Sequence, residues 1–279
     1  MRVVVAGASG LIGSALTRAL RERGDAAAAL PRFASAPWTV EGADAVVNLA
    51  GASVAGKRSS PAYKKEIEQS RVLTTRAVVD AIRAAQRKPR VLINASAVGY
   101  YGGRGDEVLD ESAAPGADFL ANVGRQWEAE AQRAPVRSVQ LRTGIVLSAR
   151  GGALEKMLPP FKAFVGGPVG SGRQWFPWIH LADEVAAILW CIDREVTGPV
   201  NLAAPGIVTM KEFAKALGRA LHRPSWAPVP AAPLRILLGE FASALLEGQR
   251  AVPKKLLDSG FRFRFDNVDA ALRDLFPER

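Results

Sequence analysis

Gly7-Ala8-Ser9-Gly10-Leu11-Ile12-Gly13 stands directly between an apolar β-branched run, Arg2–Ala6, and a helical pattern from about Leu11 to Arg23. The spacing is G-x-x-G-x-x-G, and each glycine has a physical task. They permit a tight turn, let the backbone approach a diphosphate, and let the helix pack on the strand. The diphosphate then sits on the unpaired N–H groups at the helix N-terminus. Glycines alone also make plain turns; a strand before, a helix after and a βαβ frame following separate the two readings. The stretch predicts a dinucleotide site at Gly7, Ser9, Gly10, Leu11, Ile12 and Gly13.

Outward from that loop, Ala26–Leu30 reads as a second strand, weakly, because alanine has little β preference. Asp44–Leu49 is a third strand of buried type. Ser60-Pro61, a capping serine with proline in the first turn, opens a helix to about Gln86. Strands at Arg90–Ala95 and Val136–Leu147 flank a helix at Phe119–Arg133. Apolar strands alternating with helices mean a parallel sheet covered on both faces. The expected fold is therefore α/β: a Rossmann-like doubly wound parallel sheet with a small, mostly helical C-terminal lobe.

Beyond Gly151 the texture changes. A helix at Leu154–Phe164 gives way to a Gly-rich stretch, Gly166–Gly172, and then Trp175-Phe176-Pro177-Trp178. Asp183–Arg194 is amphipathic and Pro199–Ala203 reads as a strand. Helices with proline-rich connectors follow, and Phe261–Phe265 (FRFRF) alternates as a strand does. Residues 1–165 with 181–203 are assigned to the dinucleotide domain, and 166–180 with 204–279 to the substrate-side lobe.

The 279 residues carry 37 Lys+Arg against 27 Asp+Glu, a net charge of +10, with 48% hydrophobic and 23% charged residues. That is ordinary globular usage and excludes bulk disorder. A single cysteine, Cys191, excludes an internal disulfide and a Cys-rich zinc site, and two histidines, His180 and His222, exclude a His-rich metal centre. No metal is expected. Ala34-Ser35-Ala36 imitates a cleavage site, but glycines interrupt the apolar run before it and cleavage would discard the best motif. No run of about 18 apolar residues spans a membrane, so the expectation is a cytoplasmic protein. Its basic residues are dispersed, without the aromatic platforms of nucleic-acid binders. The expected partner is a small-molecule substrate, not nucleic acid or membrane, with monomer and homodimer both open.

The identity of the dinucleotide turns on the end of the second strand. An NAD site places a carboxylate there for the ribose 2′-OH, whereas a 2′-phosphate calls for arginine. Here Pro31-Arg32 follows, with no acid until Glu41. Arg32 predicts NADP (NADPH) over NAD; the competing reading is a solvated surface arginine.

GASGLIG at 7–13, NLAG at 48–51, SAVGYYG at 96–102, LRTGIVL at 141–147 and WIHLADEV at 178–185 occur in the order found in extended short-chain dehydrogenase/reductases. More narrowly, the chain resembles their NAD(P)-dependent epimerase/dehydratase-like subgroup. GGALEKMLPPFKAFVGGPVGSGRQWFPWIH at 151–180 is its most typical stretch, and the tail from about Ala227 resembles its C-terminal domain of unknown function. The resemblance implies that Gly7–Gly13 bind the pyrophosphate and that the stretch Asn48-Leu49-Ala50-Gly51 passes beside the adenosine ribose and pyrophosphate, with Leu49, Ala50 and Gly51 as its cofactor-binding residues. It also implies that Thr143 and Gly144 run close to the nicotinamide.

Family chemistry uses a Tyr-x-x-x-Lys pair on a helix and a serine on the neighbouring strand, the lysine lowering the tyrosine pKa for proton exchange during hydride transfer. Aligned on Glu128, the tyrosine position holds Leu120 and the lysine position Gly124, and neither titrates. Aligned on Tyr101-Gly102, Ala97 takes the serine position, with Ser96 one residue early. The remaining candidates are Tyr101 and Tyr100, with Ser96 as hydrogen-bonding companion; the alternative is that both rings only pack the loop.

Arg71 stands where the family commonly has Asn, on the helical arc of Ile67, Val78 and Ile82. It needs a partner, either a ligand carboxylate or phosphate or a buried acid of the fold. Arg142 likewise pairs with an acid or contacts ligand phosphate. Asp183 is expected to cap its helix and His180 to steady the loop. Trp175, Phe176 and Trp178 either line a pocket or pin the lobe, and Cys191 reads as a buried inert thiol. Two functions follow: an NADP-dependent oxidoreductase or epimerase-like enzyme for a small hydroxyl or carbonyl substrate, or a non-catalytic NADP-binding sensor.

Overall fold

The computed structural model describes residues 1–31, 38–54 and 56–277. Arg32 and the Ala34-Ser35-Ala36 stretch lie outside the described residues. The first half contains β1 (Arg2–Ala6), α1 (Leu11–Glu22), β2 (Ala26–Ala29), β3 (Ala45–Asn48), α2 (Pro61–Ala84), β4 (Val91–Ala97), β5 (Val108–Leu109) and α3 (Phe119–Gln132). Then come β6 (Arg137–Thr143), β7 (Ile145–Leu147), α4 (Gly152–Lys162), β8 (Trp175–Phe176), β9 (Trp178–His180), α5 (Leu181–Asp193) and β10 (Gly198–Leu202). The tail holds β11 (Val208–Thr209), α6 (Met210–Ala220), α7 (Ala231–Leu238), α8 (Ser243–Leu246), β12 (Arg250–Ala251), α9 (Lys254–Asp258) and α10 (Val268–Leu275).

The main sheet runs β10-β6-β4-β3-β1-β2, and every pairing in it is parallel. Chain order reverses direction between β1 and β3, the switch point at which such sheets bind ligands beyond their carboxyl ends. Side chains along these strands alternate between two cores. Val3, Val5, Val47, Ile93 and Val139 pack against Leu16 and Leu20 of α1 and Ile188 and Ile192 of α5. Val4, Val46 and Leu92 face the other way, onto Val78, Val79 and Ile82 of α2. Burial on both faces is why these strands are continuously apolar.

Local signals set the helix ends. Ser60 accepts from the Tyr63 N–H with Pro61 in the first turn, Asp118 accepts from Ala121 N, and Thr209 with Glu212 forms a capping box.

A third apolar cluster joins Phe176, Trp178, Phe213, Leu217, Phe265 and Leu272. Helix α4 precedes residue 165 yet sends Leu154, Leu158 and Phe161 into this cluster.

Three expectations change. The strand expected at Val136–Leu147 breaks at Gly144, where a Cβ would stand 2.2 Å from the Pro177 carbonyl oxygen; β7 leaves the sheet to pair with β9. Phe261–Phe265 is not a strand. Its Arg264 and Phe265 N–H groups donate to the Asp183 carboxylate at 2.7 and 2.9 Å, and Phe261 and Phe265 fall into different clusters. Asp183 therefore does not cap α5. His180 does, through Nδ1 accepting from Ala182 N at 3.1 Å.

Candidate cofactor cleft and active site

At the carboxyl end of β1 the chain turns through Gly7, whose φ of +78° is a left-handed conformation that glycine adopts without a Cβ penalty. The turn closes with Gly10 N donating to Gly7 O at 3.0 Å. A Cβ on Gly13 would stand 2.1 Å from that same carbonyl oxygen, so only glycine lets the first turn of α1 lie on the loop. Gly10 is the N-cap, makes no side-chain cap hydrogen bond, and the first turn carries no acid. Among the described residues no side chain caps the N–H groups there, and such uncapped groups carry the positive end of the helix dipole.

Gly7 also touches the chain beyond β3. A Cβ there would stand 2.8 Å from the Leu49 carbonyl carbon and 2.9 Å from Ala50 N. The Leu49–Gly51 loop is fixed from below by a buried amide cluster. Asn48 Nδ2 donates to Asn94 Oδ1 at 2.7 Å and to Thr75 Oγ1 at 2.9 Å, while Asn48 Oδ1 accepts from Ala50 N at 3.2 Å. Trp127 Nε1 also donates to Thr75 Oγ1. Asn94 and Thr75 went unrecognised in the sequence, and Asn48 was singled out only as part of the NLAG stretch; the available signal was an asparagine at the same register position of two adjacent apolar strands.

Thr143 ends β6, and its hydroxyl donates to Glu184 Oε1 at 2.9 Å. Glu184 is fully buried, its Oε2 has no hydrogen-bond partner, and burial pushes its pKa up to about 8. Gly7–Gly13, Leu49–Gly51 and Thr143–Gly144 thus all lie at carboxyl ends of main-sheet strands.

The candidate catalytic hydroxyls are differently placed. Ser96 is buried and donates to Glu128 Oε1 at 2.7 Å. Glu128 receives Arg142 Nε and Nη2, both at 2.8 Å, in a bidentate pair whose side chains are 3% and 4% exposed. Arg142 has its acid partner inside the fold. Its Nη1 donates to the Tyr101 hydroxyl at 3.0 Å, and that hydroxyl lies 2.7 Å from Asn201 Oδ1. Tyr101 is fully buried, and burial, opposed by Arg142, pushes its pKa up to about 12. A phenol so enclosed holds structure together and does not face a cleft.

Tyr100 differs. It is half-buried, and its hydroxyl makes no hydrogen bond among the described residues. The Arg142 guanidinium sits 3.5 Å from its ring centroid, and Tyr101 meets it edge-on. Gly124, where the lysine of the pattern would stand, makes room for Tyr100: a Cβ at 124 would contact the Tyr100 Cα, Cβ and Cδ2. Leu120, at the tyrosine position, lies beside Gly99.

The other candidates resolve as structural. Phe176 stacks on Phe213 at 4.1 Å, Trp178 is fully buried and donates to Gly206 O, and Trp175 donates to Asp106. These aromatics pin the lobe. The His180 ring is packed on Phe265, and burial lowers its pKa. Cys191 is buried, and burial pushes its pKa up to about 12. Among the described residues no helix is long and apolar enough to cross a membrane.

Comparison with known proteins agrees with this fold. Residues 3–203 match the model of the NAD dependent epimerase/dehydratase family, and residues 229–275 match a domain of unknown function, DUF1731. The chain is 42% identical to epimerase family protein SDR39U1 homolog, chloroplastic, of Arabidopsis thaliana, over 98% of this chain and 86% of that one. It is 37% identical to epimerase family protein YfhF of Bacillus subtilis, over 100% and 99%. It superimposes on the crystal structure of human epimerase family protein SDR39U1 (isoform 2) with NADPH at a TM-score of 0.95, with 34% identity and 100% of both chains covered.

Proposed function

Because the chain belongs to the NAD dependent epimerase/dehydratase family, we propose that it binds NADPH and is an oxidoreductase or epimerase-like enzyme for a small hydroxyl or carbonyl substrate. The observation that carries this reading is the glycine cradle, Gly7 to Gly13, closed against Leu49–Ala50 at the switch point of the sheet. A human relative of the same fold was crystallised with NADPH. The bound cofactor would supply or accept the hydride. The N-terminal N–H groups of α1 would hold its diphosphate, and Arg32, three residues beyond β2, is proposed for the 2′-phosphate.

Tyr100 is the proposed proton-exchanging group, since its hydroxyl is not committed to the fold. Tyr101, Ser96, Arg142 and Glu128 are proposed as positioning residues: their buried network holds the segment that carries Tyr100. The Arg142 guanidinium over the Tyr100 ring holds that ring in place beside Gly124.

The test is NADPH oxidation across a panel of aldehydes, ketones and quinones, with wild type, Tyr100→Phe and Tyr101→Phe. Turnover by wild type and its loss in Tyr100→Phe, with NADPH affinity unchanged, is expected. The absence of a titratable pair at Leu120 and Gly124 favours a second reading, an NADPH-binding sensor. Saturable NADPH binding with no oxidation by any panel member would favour the sensor and end the reading as a net oxidoreductase for these substrates.

A further inference from the structure

Arg71 sits half-buried on α2, and its side chain lies across Gly51. A Cβ on Gly51 would stand 3.4 Å from Arg71 Cζ and 3.6 Å from Nη1. Gly51 is exposed, and the two residues before it form the wall that closes on Gly7. Arg71 therefore flanks the dinucleotide cradle on its α2 side.

A guanidinium carries several N–H donors in a planar fork. Arg71 spends one, Nη1 to Ile67 O at 3.1 Å, on its own helix. The Trp127 ring lies 5.0 Å from Cζ, a favourable contact that accepts no hydrogen bond in the ring plane. Among the described residues no carboxylate pairs with Arg71. Burial pulls its pKa down to about 10, which leaves it charged at neutral pH. Of the two partners the sequence allowed, the buried acid belongs to Arg142 and not to Arg71. A partly desolvated cation without a counter-ion is costly in a folded protein, and an arriving oxyanion removes that cost.

We propose that Arg71 is an anion anchor of the cleft, binding through its guanidinium fork a phosphate or carboxylate of a ligand that lies across Gly51. The oxyanion has two sources: the cofactor's diphosphate, or an acidic group on the substrate. The choice between them rests on the reading of Gly7–Gly13 as the dinucleotide site.

The test is the Nε–Hε signal of Arg71 in arginine-labelled protein, assigned by its loss in Arg71→Lys. NADP+ is titrated first; inorganic phosphate and acetate are then added separately to the NADP+-saturated protein, with sodium chloride as the ionic-strength control. A saturable shift with NADP+ assigns the cofactor diphosphate. A saturable shift with phosphate or acetate, absent with chloride, assigns the substrate's acidic group. In either case Arg71→Met should weaken the responsible ligand by roughly tenfold or more, with Arg71→Lys in between. A signal that no oxyanion moves overturns the proposal, even if Arg71→Met fails to fold. Should NADP+ produce no binding heat, the cofactor reading falls, while the phosphate and acetate titrations of the free protein still decide the role of Arg71.

Discussion

Tyr100 fills the space that Gly124 vacates: a Cβ at 124 would stand 3.4 Å from the Tyr100 Cα and 3.5 Å from its Cβ. Those are ordinary contact distances, so Gly124→Ala is accommodated and gains about 0.5–1 kcal/mol of helix stability. Grafting the missing pair back is different. Leu120→Tyr with Gly124→Lys forces a long side chain past the Tyr100 ring, at a cost of about 1–3 kcal/mol. Urea unfolding of both variants checks the two signs; a double variant as stable as wild type contradicts this packing.

The glycine loop separates stability from binding. Gly13→Ala drives a Cβ to 2.1 Å from Gly7 O and should lower both the melting temperature and NADPH affinity. Gly10→Ala meets only Gly7 O, at 3.4 Å. Its fold should survive, while the methyl group stands where the diphosphate approaches, weakening NADPH by roughly tenfold. Thermal melts with and without NADPH distinguish the two variants.

Glu128 and Arg142 form a buried bidentate pair, and removing one partner strands the other. Glu128→Gln should cost about 3–5 kcal/mol. Tyr101→Phe, which removes the hydroxyl from Asn201 and Arg142, should cost about 1–3 kcal/mol. Denaturant titration measures both, and a loss under about 1 kcal/mol in Glu128→Gln would show that the pair is replaceable.

Glu184 makes stability fall with rising pH. Burial raises its folded-state pKa from 4.5 to about 8, so the folded state holds a proton that the unfolded state releases between those values. Its cost is absent below pH 4.5, grows as pH rises, and is complete above about 8, reaching on the order of a few kcal/mol. Glu184→Gln stays neutral, so its advantage over wild type should grow from pH 5 to pH 8.5. A pH-independent difference in urea midpoints would remove Glu184 from this role.

The local elements were legible because their causes are local. The apolar β-branched runs, the glycine spacing and the Ser60-Pro61 cap each act within a few residues, and they place β1, α1, β3, α2 and the glycine loop. Phe261–Phe265 misled for the same reason: its alternation is real, but its phenylalanines serve two cores and its N–H groups belong to Asp183.

What the chain alone determined, then, is the parallel α/β frame, the glycine cradle at 7–13 and the lack of a titratable Tyr-x-x-x-Lys pair at Leu120 and Gly124. Only the tertiary structure decided how the polar residues divide. Tyr101 and Tyr100 are neighbours in sequence, yet one hydroxyl is locked to Asn201 and the other makes no hydrogen bond among the described residues. Arg142 and Arg71 are both arginines of the sheet-and-helix frame, yet one has Glu128, while among the described residues no carboxylate pairs with the other, which lies against Gly51. Hydrogen-bond and ion-pair partners come from elements distant in the chain, 14 residues for Arg142 and Glu128 and 100 for Tyr101 and Asn201. A side chain's chemistry follows from the partner that folding brings to it.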